Sequence, residues 1–537
     1  MTTMNGSESF ETVLSRYFER QLKDQPVFAV IAGGLPEAEG KLGSLSPDFH
    51  KHRERERRRT LREMEQISPR ELSNEQHLDR LALRNLLLSE CEDFDRGRSG
   101  LDPSAPEHVL SILLKELQRG EDTPRRAAAN LRSLLKQAPA FLEEAAACLK
   151  TPDQVWMTIM EEAVAGGASL LQYTQKLLDT ANPATTDARL VADTASSLEN
   201  YQLKASKLRP APAGSFSLGA AALQRRVRED LGLDYTLGEV ERLASSEIER
   251  VSRLIRKEEA GRGNKRASQI VDGARKNWRP SRPLLELYHE ETRRVAKAFQ
   301  AAKAVSFPVG DELRIIPVPD FLRSVIATAA YDAPGAFSRR QQGTFWVNDL
   351  SLTKTSKAEK LAEVRQHFGI SLTCGHEGYP GHHLQFVQAN KHPRKWRRLF
   401  AHAVFYEGWT LWCEQMMVDL RIDPAPWLRM RQLQDALWRC HRILLDLRLH
   451  TGSYSHEQGV RHLQRELGFT RGRATAEINW YTTKPGVPMS YWLGRLENER
   501  LYRRLVQGRG WSLRKFNDWL LSFGTLPQSW IEKYGLD

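Results

Sequence analysis

Apolar residues recur at helical spacing along nearly the whole of this chain, bracketed by the residues that start and stop helices. In "DPSAPEHVLSILLKELQRG" polar and proline signals give way to Val109, Leu110, Leu113 and Leu114, and the run stops at Gly120. Ser68-Pro69-Arg70-Glu71 offers an N-cap, a first-turn proline and a capping-box glutamate ahead of Leu81, Leu83 and Leu86 to Leu88. A second box, Thr236 to Glu239, opens a helix predicted to end near Gly261. Further helices are expected over residues 124–149, 152–180 and 186–206. One stretch breaks the pattern. Residues 315–348 carry proline punctuation, β-branched clusters and the run "GTFWVN", which predicts short strands or a hairpin. The fold class is therefore mainly α: a large helical body with a central cleft and a small β-strand insert.

At 537 residues the chain exceeds the size at which one core usually keeps growing. The stretch "KLRPAPAGSFSLGAAAL", rich in Pro, Gly, Ser and Ala, is the best linker. It divides an N-terminal helical lobe (1–206) from a helical catalytic lobe (224–537), with the linker at 207–223. No apolar run is long enough for a membrane-spanning helix. The polar N-terminus lacks the basic start and apolar middle of a secretory signal. Five scattered cysteines (Cys91, Cys148, Cys374, Cys413, Cys440) form no metal or disulfide spacing, which points to the reducing cytoplasm.

A formal net charge of +12 raises the question of nucleic acid. The densest basic run, "KHRERERRRTLREMEQ", interleaves Glu54, Glu56, Glu63 and Glu65 with its arginines, as on a solvated helix laced by ion pairs. With no zinc finger, phosphate loop or aromatic-plus-basic signature, no specific nucleic-acid partner is expected.

The chemistry concentrates in "SLTCGHEGYPGHHLQF" (Ser371 to Phe386). His376 and Glu377 stand as in the zinc-peptidase pattern H-E-x-x-H, where two histidines four apart share a metal and the glutamate serves a water on it. Here Pro380 occupies the fourth position and cannot ligate. In a regular helix His383 lies about 10 Å along the axis from His376, too far to share an ion. Pro380-Gly381 can break the helix and let it restart late, which brings His382 into the ligand position; His383 is the alternative. A histidine-rich turn without metal is the bland reading. Downstream, Glu407 and Glu414 sit seven apart on one face of "FAHAVFYEGWTLWCEQMMVDL", whose Trp409, Trp412 and Met416 form a core stripe. A carboxylate among such residues must be paired, protonated or metal-bound. Glu414 is placed to orient a ligating histidine.

Together "HEGYPGHHLQ", "YEGWTLWCEQM" and "PGVPMSYWLG" resemble the bacterial family called domain of unknown function 885, akin to helical zinc peptidases of the thimet oligopeptidase and carboxypeptidase Taq type. The resemblance extends to "DPSAPEHVLSILLKEL" and "LGLDYTLGEVERL", so it covers most of the chain. It implies a zinc ion held by His376, His382 and Glu407, with Glu377 as general base and His382 favoured over His383. Tyr491 and Tyr481 are the candidate oxyanion donors, and His450 either meets substrate or caps its helix near Gly452. The implied function is a zinc-dependent metallopeptidase acting on a peptide or small amide. Two departures stand out: Trp480-Tyr481 replaces an Arg-Tyr pair, and Pro485-Gly486-Val487 replaces Pro-Gly-Gln. They leave open a small non-peptide metabolite as substrate, or a non-catalytic helical protein that binds anionic partners.

Overall fold

The computed structural model describes residues 6–120, 122–263, 265–318, 326, 328–348, 356, 360–361 and 364–536. The fold is mainly α, with one three-stranded sheet among the described residues. Two compact units share the chain. The first comprises Met1–Leu218, Gly335–Ser338 and Gly452–Thr483; the second comprises Gly219–Pro334, Arg339–Thr451 and Lys484–Asp537. The chain passes from the first unit to the second at Leu218–Gly219 and returns to the first at Gly335–Ser338 and Gly452–Thr483.

In the first unit the Pro124–Cys148 helix packs on Ala105–Gly120 and Asp187–Ser206. Its Leu131, Leu134, Leu135, Ala138 and Leu142 are all buried, the stripe a core helix requires. The predicted capping box at Ser68 does not form. Pro69–Glu71 is a short 3-10 turn, and Glu71 instead accepts a hydrogen bond from the Gly6 amide at 2.6 Å. The helix starts later, at Asn74, under a box built by Ser73 and Gln76. The basic run lies in the Pro47–Glu65 helix and carries the expected ion pairs, among them Arg59–Glu63 at 3.0 Å. Its Arg53 and Glu54 are nevertheless buried, so part of that face packs instead of meeting water. The returning segment Gly452–Thr483 is held by a buried bond, Trp156 Nε1 donating to Thr482 Oγ1 at 3.2 Å.

Six helices and the sheet of the second unit matter here. They are α1 (Leu284–Ala301), α2 (Ile370–Glu377), α3 (His382–Asn390), α4 (Ala403–Asp419), α5 (Leu428–His450) and α6 (Val487–Tyr502). Strands β1 (Asp311–Pro317) and β3 (Gln341–Val347) run parallel, and β2 (Ala329–Asp332) pairs antiparallel with β3. β1 begins four residues before the insert expected from sequence, so that Asp311 opens it opposite Gln341. The capping box Thr236–Glu239 forms as read, and its helix runs Leu237–Ala260.

α4 and α6 cross with their backbones in contact. A Cβ on Gly408 would lie 2.6 Å from the Gly494 carbonyl carbon, and one on Gly494 would lie 1.9 Å from the Val404 oxygen. Only glycine permits that approach at either position. Trp409 and Met416 fill the adjoining core. No described helix is long and apolar enough to cross a membrane.

Candidate metal centre

The H-E-G-Y-P-G-H-H segment is two helices with a break between them. α2 ends at Glu377, and α3 begins at His382 with Gly381 as its N-cap. The Tyr379–Pro380 peptide is cis. The chain returns so closely on itself that a Cβ on Gly381 would lie 1.8 Å from the His376 carbonyl oxygen. Trp409 pins this turn to α4, its indole N–H donating to the Pro380 carbonyl at 2.8 Å. The residue that the sequence marks as core packing thus also ties the histidine turn to the glutamate helix.

The result is a convergence of three side chains. One nitrogen of His376, one of His382 and one carboxylate oxygen of Glu407 all lie within 4.8 Å of one another. Glu407 Oε2 stands 3.8 Å from His376 Nε2 and 3.7 Å from His382 Nε2. These separations are too long for hydrogen bonds. They are close to the roughly 3.4 Å between donors that share one tetrahedral ion at about 2.1 Å. Glu407 Oε2 is also buried without a hydrogen-bond partner among the described residues. A buried carboxylate oxygen in that condition calls for a cation. The donor set, two imidazoles and a carboxylate, suits zinc.

Charge agrees with geometry. Burial drives His382 well below the ordinary histidine value, with His376 adding to the effect, so its ring is neutral and ready to ligate. Burial pushes His376 down, but the hydrogen bond its ring donates to Glu414 and the charges of Glu377, Glu414 and Glu407 outweigh it and hold His376 up. Glu377 is raised to about 7, first by burial and then by the charges of Glu407 and Glu414. Glu407 is raised by burial. Three carboxylates thus surround two imidazoles, an imbalance that a divalent ion would relieve.

The groups behind the donors are clear. Glu414 Oε1 meets His376 Nδ1 at 2.8 Å, so the outer nitrogen of that ring is held by a carboxylate. The Tyr491 hydroxyl hydrogen-bonds Glu407. That contact sets Tyr491, expected from the sequence as an oxyanion donor, against the Glu407 carboxylate. His382 is oriented by aromatic rings: Tyr331 stacks on it at 6.2 Å between centroids, and Tyr406 lies at 5.9 Å.

His383 points elsewhere. Its Nδ1 lies 3.0 Å from the Tyr331 hydroxyl and its Nε2 3.1 Å from Asp311 Oδ2, so both ring nitrogens are engaged. His450 is fully buried at the end of α5, its Nε2 3.6 Å from Asp446, while Asp446 accepts the Gly486 and Met489 amides at the start of α6. It serves the α5–α6 junction. Tyr481 is buried in the Arg471–Thr483 helix of the first unit, edge-on to Trp480, and the cluster is assembled without it.

Sequence reasoning missed Asp311, Tyr331, Tyr406 and the arginines of α5. Helical spacing on α5 could have flagged Arg431, Asp435, Arg439 and Arg442 as one charged face. A cleft of about 290 Å³ is lined by His376, Glu377 and Glu414 together with Arg431, Trp438 and Arg439.

Among curated proteins nothing matches this chain. Solved structures share its fold, among them two bacterial proteins. One is described as a putative lipoprotein of unknown function from Shewanella oneidensis, at 17% identity and TM-score 0.77, covering 98% of this chain and 100% of that one. The other, described as a putative lipoprotein from Colwellia psychrerythraea, has 16% identity and TM-score 0.72, covering 99% of each chain. At such identities the likeness speaks to fold alone. The model for the family described as bacterial protein of unknown function (DUF885) matches residues 26–534, and the chain belongs to that family.

Proposed function

We propose that this chain is a zinc-dependent hydrolase of peptide or amide bonds, with His376, His382 and Glu407 as ligands and Glu377 as general base. The observation that carries the reading is the buried Glu407 oxygen, without a hydrogen-bond partner among the described residues, facing two imidazole nitrogens at 3.8 and 3.7 Å. When bound there, zinc supplies Lewis acidity that polarises a carbonyl and makes water a nucleophile near neutral pH. The protein's own groups do the rest. Glu377 takes a proton from the attacking water and returns it to the leaving nitrogen, as the C–O bond forms and the C–N bond breaks. Glu414 fixes the His376 ring and Tyr491 fixes the Glu407 carboxylate, so neither donor has to reorganise. Tyr406, packed beside His382, replaces Tyr491 as the candidate hydroxyl for the developing oxyanion.

The test is Glu377→Gln. It should leave zinc content unchanged and lower kcat by about 100-fold or more on any peptide the wild type cleaves. A Glu377→Gln protein with wild-type turnover would remove Glu377 from the role of base. The same proposal places the protein in a reducing compartment, in keeping with five free thiols. Fractionation of cells expressing the native gene tests that placement.

A further inference from the structure

We infer that the cleft beside the metal centre takes the free carboxylate of a peptide's C-terminal end, gripped by Arg439, so that the enzyme works from the chain end. The inference rests on the hydrolase reading and adds to it the class of substrate. Its starting point is an uneven balance of charge on α5. Asp435 serves two guanidinium groups: Arg431 Nε holds its Oδ2 at 2.8 Å, while Arg439 Nη1 stands 3.6 Å from Oδ1. One carboxylate cannot neutralise both, and the closer contact belongs to Arg431. Arg439 is left with a long contact to that carboxylate, a 3.3 Å bond from Nη1 to the Asp435 carbonyl, and the face of Trp438 at 4.4 Å. Its Nε is buried with no hydrogen-bond partner among the described residues.

Arg442 is otherwise engaged. Its guanidinium faces the rings of Trp438 at 4.2 Å and Tyr491 at 4.6 Å, and it does not line the cleft, although its charge, like that of Arg439, bears on Glu407. Arg439 is therefore the cation in the cleft that can accept a new anion. A carboxylate placed against the guanidinium group can form the paired bonds that its planar fork favours. The cleft that holds Arg439 also holds His376 and Glu377, so an anion gripped there lies in the same space as the proposed base. Its volume of about 290 Å³ sits at the low end of small-ligand clefts, which suits a short C-terminal stub and not an extended chain. Hydrolysis would join the water oxygen to the carbonyl carbon, break the C–N bond and release the stub as an amine carrying the transferred proton. The products are a shortened peptide and a free amino acid or very short peptide.

The experiment uses zinc-loaded full-length protein and pairs of short peptides identical except for a C-terminal acid or amide. The acid form should be cleaved with kcat/KM at least tenfold higher. Arg439→Ala should erase that preference, raising KM for the acid peptide at least tenfold more than for the amide peptide. Equal cleavage of the two forms by the wild type, or a preference that survives in Arg439→Ala, overturns the inference while leaving the hydrolase reading intact. If the wild type cleaves neither peptide, the peptidase reading falls. Calorimetry on metal-free Glu377→Gln protein then decides the inference: tighter binding of the acid than of the amide supports it, and equal or no binding overturns it. Arg439→Lys, which keeps the charge but not the fork, should retain a weakened preference and guards against a misfolded alanine variant.

Discussion

Glu414 and Tyr491 each hold a proposed ligand from behind, and their loss should be felt by the metal before it is felt by the fold. Glu414→Ala frees the outer nitrogen of His376, and Tyr491→Phe removes the hydroxyl from Glu407. Each is expected to weaken zinc binding by about 10–100-fold, read by competition with a chromogenic chelator. Unchanged affinity in both would mean that these contacts do not tune the donors. At this scale the residues legible in the sequence were those whose own helical segment carries their signal. His376, Glu377, Glu407 and Glu414 betray themselves by spacing and by charge in apolar surroundings. Asp311 and Tyr331 do not, because strands far away in sequence carry them to His383. Tyr491 was found, but its partner was not, since a hydroxyl's target is set by the α4–α6 crossing.

That crossing and its neighbour at α5–α6 carry the predictions that belong to whole elements. Gly408→Ala would drive a Cβ to within 2.6 Å of the Gly494 backbone, where no side chain can yield. The two helices would have to separate, at a cost of about 1–3 kcal/mol or more, and Glu407 would shift with them. A lowered thermal midpoint with weakened zinc binding is expected; a variant as stable as the wild type would show that the crossing is loose. At the foot of α6, burial raises the Asp446 carboxyl to about 7, against the pull of two amides. The folded state thus holds this proton more tightly than the unfolded one. The stability it contributes is full below the unfolded value near 4 and is lost as pH rises through about 7. Asp446→Asn should therefore gain on the wild type in thermal midpoint as pH rises from 4 to 8, and a pH-independent difference would contradict the assignment. Among elements, the sequence revealed helices through period and caps, but it misplaced the start at Ser68. The competing bond from Gly6 to Glu71 comes from 65 residues away. The break at Pro380-Gly381 was legible because proline and glycine act on their own neighbours.

For the whole molecule, the mainly α class followed from a pattern that every segment repeats. The division of the chain into units did not. Gly452–Thr483 returns to the first unit through contacts such as Trp156–Thr482, which no local signal announces. Family membership over residues 26–534 and the shared fold of two solved structures place the chain without assigning it a reaction. The reaction rests on the centre, and the centre rests on which histidine completes it. The most direct measurement is zinc content per chain after saturation and gel filtration, in the wild type, His382→Ala and His383→Ala. About one zinc is expected in the wild type and in His383→Ala, and close to none in His382→Ala. No zinc in the wild type, or zinc kept by His382→Ala and lost from His383→Ala, would contradict the account.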